Sequence, residues 1–209
     1  SCLAQSADLG IRLLGREKRG LSMAIYKDVM GTLVRVLAAD NIDNSTKQSW
    51  QKLIDAELRS GGQGAGISVR DKFDYDCCLY ALLHRELAPA QWDVLVAKYS
   101  THKANKVAAI GRLVPRIMSP APQLFIYKAV TAWAIPKLRG LQDRKRSTDM
   151  IVLPAEFYDM NTWDPEASPE RTRNRWRSGI HQRLESLEEA AVIHATEIFD
   201  AEEIFVDAA

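Results

Sequence analysis

The stretch LPAEFYDMNTWDPEASPERTRNRWRSGIHQRLESL, residues 153–187, carries the strongest local signal in the chain. Two helical patterns flank the turn-rich Asp164-Pro165-Glu166-Ala167-Ser168, the arrangement of a helix-turn-helix. Ser168 offers an N-cap oxygen, and Pro169 suits a first helical position, where no amide donor is needed, so the second helix is expected to begin there. Thr172, Trp176, Ile180, Leu184 and Leu187 then follow at spacings of four, four, four and three, one face of an α-helix. At 100° per residue the opposite face carries Arg171, Asn174, Arg175, Ser178 and His181, with Glu170 and Arg177 on its margins.

That face is made of hydrogen-bonding groups suited to the major groove of duplex DNA. Arginine presents two donors matched to guanine O6 and N7, and asparagine pairs at two points with adenine. The first residues of a recognition helix reach base edges, so Arg171 and Asn174 lead the base-reading set, with Arg175 and Ser178 beside them. Ser168, Arg173 and Arg177 are assigned to phosphates, which position without specifying, and Arg175 suits that role as well. The same pattern also describes a plain amphipathic helix with a solvated, arginine-rich side.

Working outward, charge is uneven although the whole chain is only +1. Residues 1–97 balance twelve basic against twelve acidic side chains. Residues 98–146 hold eleven Lys and Arg against the single acid Asp143, and residues 184–209 hold eight acids and no Lys or Arg. A basic middle before an acidic end points to a polyanion partner plus a separate interaction segment, or to a basic face that meets the tail inside one molecule. Within the basic middle, residues 91–113 form either a second, weaker helix-turn-helix candidate whose Lys103 and Lys106 would touch phosphates or merely a helical hairpin. Arg144, Lys145 and Arg146 form a third phosphate-contact candidate, or part of a solvated linker with no partner.

The rest of the chain reads as helical. Strand signals are nearly absent, and apolar residues recur at helical spacing over 23–39, 45–59, 71–86, 89–99, 103–114 and 123–134. The fold class expected is all-α: a leader over 1–22, a helical body over 23–137 and a basic linker over 138–152. A helix-turn-helix module over 153–187 and an acidic C-terminal tail over 188–209 follow. Hydrophobic residues at 46% and charged residues at 26% support a core-bearing chain rather than a disordered or fibrous one. Three cysteines, two of them the neighbours Cys77 and Cys78, give no disulfide framework and suit a reducing compartment. No apolar run approaches the ~20 residues of a membrane span, so the expected location is the cytoplasm, with no membrane partner.

Signals for an enzyme are weak. His84, His102, His181 and His194 show no ligand or triad spacing, and no metal site or cofactor is readable. The glycine-rich GGQGAG over 61–66 lacks the Lys-Ser/Thr ending of a phosphate loop and follows no strand. Asp71, Asp74 and Asp76 lie together as metal-dependent nucleases require, but they also make a sound acidic first turn for a helix.

The segments WDVLVAKYS (92–100), KAVTAWAIP (128–136) and LPAEFYDMNTW with SPERTRNRWRSGI (153–163 and 168–180) together resemble prophage-type, Q-like transcription antitermination factors. The resemblance covers about residues 73–187. It implies binding to a DNA element near a promoter, loading onto RNA polymerase paused with sigma factor, and travel with the enzyme past terminators. The family's DNA-reading helix would fall on residues 169–180. A conventional helix-turn-helix repressor or activator that stays at its DNA site is the alternative, since the module serves both.

Overall fold

A computed structural model describes residues 28–39, 69–137, 151–202 and 204. The expected leader over 1–22, the helix over 45–59 and the glycine-rich loop over 61–66 lie outside the described residues. So do most of the linker, including Arg144, Lys145 and Arg146, the side chains of Asp71 and Phe73, and residues 205–209. Six α-helices and three 3-10 turns are described, with no strand among the described residues, so the chain is all-α. Among those residues no helix is long and apolar enough to cross a membrane.

The chain divides into two compact units, residues 1–87 with 194–209, and residues 88–193. In the first, α1 (Val29–Ala39) and α2 (Val69–Glu86) pack together. Asp28 starts α1 by accepting the Gly31 amide at 2.6 Å, and Leu33, Val36 and Leu37 are buried. Leu79, Leu82 and Leu83 answer them from α2, whereas Cys77 and Tyr80 are only half-buried. Arg35 of α1 donates through Nε to both oxygens of buried Asp76, at 2.8 and 3.1 Å. That pairing gives Asp76 a structural role, and among the described residues no cluster of His, Cys, Asp and Glu is placed to hold a metal.

The second unit is built on α3 (Pro89–Tyr99), α4 (Lys103–Leu113) and α5 (Gln123–Ala134). In α3 every residue from Trp92 through Ala97 is buried, which places this helix at the centre. One of the six is Asp93, whose carboxylate Arg112 of α4 meets at 2.7 Å. The α3–α4 connection is only Ser100, Thr101 and His102. Ser100 Oγ accepts the His102 amide at 3.1 Å, and His102 Nδ1 accepts the Asn105 amide at 3.2 Å, starting α4. Ala109, Ile110 and Leu113 then face inward, while Val107 is exposed. Pro122 precedes α5, whose Phe125, Ile126, Ala129, Val130 and Trp133 are buried.

The final helix, α6 (Glu170–Ala201), continues well past the boundary expected at residue 187. Its residues to Ile193 belong to the second unit and those from His194 to the first. Much of the segment read as an acidic tail is therefore helix, with Ala195, Ile198 and Phe199 buried in the first unit. Residues 153–187 likewise do not stand apart as a module, because they share a unit with α3, α4 and α5.

Candidate nucleic-acid interface

Before α6 the chain forms 3-10 turns at Ala155–Tyr158 and Met160–Thr162, where an α-helix was expected to open a helix-turn-helix. Local polar capture explains the difference. Asp159 Oδ1 accepts the Asn161 amide at 3.0 Å and its side-chain nitrogen at 2.8 Å, and the Trp163 indole donates to the Phe157 carbonyl at 2.7 Å. These bonds tighten the backbone where an α-helix would need bonds four residues apart. Tyr158 ties the segment to the end of α5 by donating to the Ile135 carbonyl at 2.7 Å.

The turn that follows is organised by Asp164, which is buried. Its carboxylate accepts the Ser168 amide at 2.7 Å and the Glu166 amide at 3.1 Å. Burial alone would raise this carboxyl, but hydrogen bonds from the Ser168 hydroxyl and from both amides, with the nearby Arg173 charge, hold it below the usual value. Ser168, expected at a phosphate, thus has its hydroxyl engaged inside the turn. Ala167 adopts the left-handed conformation, with φ of 51°.

Three aromatic rings set the rotation of α6 about its axis. Trp176 lies edge-on to Phe125 with centroids 5.5 Å apart, and Phe125 meets Trp163 at 5.4 Å. Ile180 and Leu184 continue the buried stripe, and Thr172 and Leu187 are half-buried at its borders. The opposite side is in solvent: Arg171, Asn174, Arg175, Ser178 and the margin residue Arg177 are all exposed. From Arg171 to Ser178 the helix rises about 10 Å, the span of about three base pairs.

Some residues assigned to this surface are held elsewhere. Arg173 is half-buried, and its Nη1 donates to Asn161 Oδ1 at 2.9 Å, so it secures the preceding turn rather than facing a phosphate. His181 is half-buried too. Burial, with the Arg177 and Lys98 charges, lowers its pKa against the opposing pull of Glu185 and the Ala129 carbonyl. Lys106 donates to the Lys98 and Ser100 carbonyls at the end of α3, at 2.9 and 3.3 Å, and burial lowers its pKa to about 8. Lys103 remains exposed at the start of α4.

Lys98, from the basic middle, meets Glu188, from the acidic end, at 2.9 Å and lies 4.3 Å from the centre of the Trp133 ring. Tyr99 also donates to Glu188, and burial followed by that bond and charge pushes its pKa up. Two residues of α6 lie outside the set expected from the sequence. Arg183 is exposed and donates to the Met118 carbonyl, and Gly179 stands exposed one turn before it. A glycine inside a helix is less favourable than alanine by about 1 kcal/mol, and its spacing from Arg175 and Arg183 was the available signal. No family model, curated protein or solved structure matches the chain.

Proposed function

We propose that this chain is a sequence-specific DNA-binding transcription regulator that lays the first turns of α6 in the major groove. The observation that carries this reading is the exposed set Arg171, Asn174, Arg175 and Ser178 on a helix whose rotation is fixed by Trp176 against Phe125. Arg171 and Asn174 read base edges, and Arg177 and Lys103 lie on phosphates. Rigid backing matters here because a bidentate contact to a base tolerates little error in helix placement.

The resemblance of residues 73–187 to Q-like factors extends the proposal to antitermination: the protein loads on promoter-proximal paused RNA polymerase and travels with it. A genome-wide crosslinking profile of this protein alongside RNA polymerase tests both halves. Signal that begins at a promoter and follows polymerase beyond a terminator supports antitermination. A peak confined to the promoter makes the protein a conventional regulator, and a flat profile contradicts DNA binding altogether.

A further inference from the structure

Among the described residues nothing requires a glycine at position 179. A Cβ built on it meets nothing within 4 Å, and its φ lies outside the left-handed region. Gly31 of α1 shows the contrast, since a Cβ there would come within 3.0 Å of the Asp28 carboxylate that caps the helix. A glycine that stands in open space on a helix leaves its backbone accessible to close approach by a partner, a use to which glycine is suited.

The neighbours of Gly179 identify what comes close. Arg175 and Arg183 stand four residues to either side on the same ridge of α6, with Ser178 and Gln182 beside them, and all four are exposed. The glycine is thus flanked along the helix by two exposed arginines, with exposed hydrogen-bonding side chains beside it. Gly111 of α4 is equally open, but its corresponding neighbours are Val107 and Pro115, which offer nothing to an anion. Arg183 is already anchored, because one of its donors is held by the Met118 carbonyl. Guanidinium has five donors, so others remain for a phosphate. Arg175 and Arg183 are separated by about 12 Å of helix axis, enough for one strand to pass between them.

We infer that the sugar-phosphate backbone of bound nucleic acid crosses α6 at Gly179, with Arg175 and Arg183 bracketing its phosphates. Arg175 and Ser178 thereby face the backbone, and base reading falls to Arg171 and Asn174. This inference rests on the DNA-binding reading above and adds where the strand lies.

The test compares the full chain with Gly179→Ala on two duplexes of equal length, one carrying a selected site and one of unrelated sequence. The thermal midpoint of the variant should equal or exceed that of the parent, because alanine is the better helix former. Its affinity for both duplexes should fall by about tenfold or more. The dependence of log affinity on log salt should also become shallower by about 0.9 for each phosphate the variant no longer neutralises. Arg183→Gln should flatten the salt dependence in the same way. A variant that binds both duplexes like the parent overturns the inference, and so does one that weakens only on the selected site, which would put bases rather than backbone at Gly179. A parent chain that binds neither duplex overturns the DNA-binding reading itself.

Discussion

Arg171 and Arg173 stand two residues apart on α6 and are expected to do different things. Arg171 is exposed on the outer side, so Arg171→Ala should cost about 1–3 kcal/mol of DNA binding and relax discrimination at one base pair. Affinities for duplexes substituted one base at a time measure this, and equal weakening on every sequence would make Arg171 a phosphate contact. Arg173→Ala should instead lower folding stability by about 0.5–1.5 kcal/mol by removing the bond to Asn161, with little change in affinity. Denaturant unfolding and binding curves on the same variant separate the two effects. The alternation of arginines along the sequence makes these residues look alike, because nothing in the spacing reveals an acceptor twelve positions earlier in a 3-10 turn. Lys106 is illegible for the same reason, its carbonyl partners being visible only once α3 and α4 are folded together. His181 carries a pH dependence of defined sign. Its folded pKa is lowered, so between the unfolded value near 6.5 and the folded one the unfolded chain binds the proton first. That contribution to stability is complete above this window and is lost as pH falls through it. The thermal midpoint should drop on acidification below about pH 6.5, and His181→Gln should remove that part of the slope.

Among the elements, α6 was legible and the segment before it was not. Trp176, Ile180 and Leu184, with Leu187 three residues further, follow a helical period, and Ile180 and Leu184 are buried with Trp176 and Leu187 half-buried. The spacing of Leu153, Phe157 and Met160 looks equally helical, yet Asp159 and Trp163 draw that stretch into two 3-10 turns through bonds that periodicity does not register. Ala167 tests the conformation of the turn. With φ at 51°, Ala167→Gly should stabilise the fold by up to about 1–2 kcal/mol, the penalty that a Cβ meets in the left-handed region, and denaturant unfolding measures it. Phe125 tests the seating of α6, since its ring touches both Trp163 and Trp176 and is fully buried. Phe125→Ala should cost about 3–5 kcal/mol and weaken DNA binding at temperatures where the variant is still folded, because the ring that sets the rotation of the helix is gone. Unchanged binding by the folded variant would show that the outer face is positioned by other side chains.

For the whole molecule, the charge asymmetry read from the sequence overstates the basic surface. Residues 98–137 contain seven Lys and Arg and no acid, but Lys98 is paired with Glu188, Arg112 with Asp93, and Lys106 is bound to backbone carbonyls. Of the two alternatives drawn from composition, the one in which the basic middle meets the acidic end inside one molecule is seen in the Lys98–Glu188 pair. Lys103, Arg116 and Lys137 are exposed. The domain boundaries were less legible, because composition changes at residue 187 while the helix does not, and the two units exchange α6 at Ile193. Side-chain character marks which surfaces differ in chemistry, whereas the units follow packing.

In vitro selection from a library of randomised duplexes, carried out with the full chain and with Arg171→Ala combined with Asn174→Ala, bears most directly on the reading of α6 as a DNA-reading helix. Enrichment of one motif by the parent chain, with information lost at about two base pairs in the double variant, one for each base-reading side chain removed, is the result predicted. A parent chain that enriches no motif, or a double variant that enriches the same motif unchanged, would contradict it.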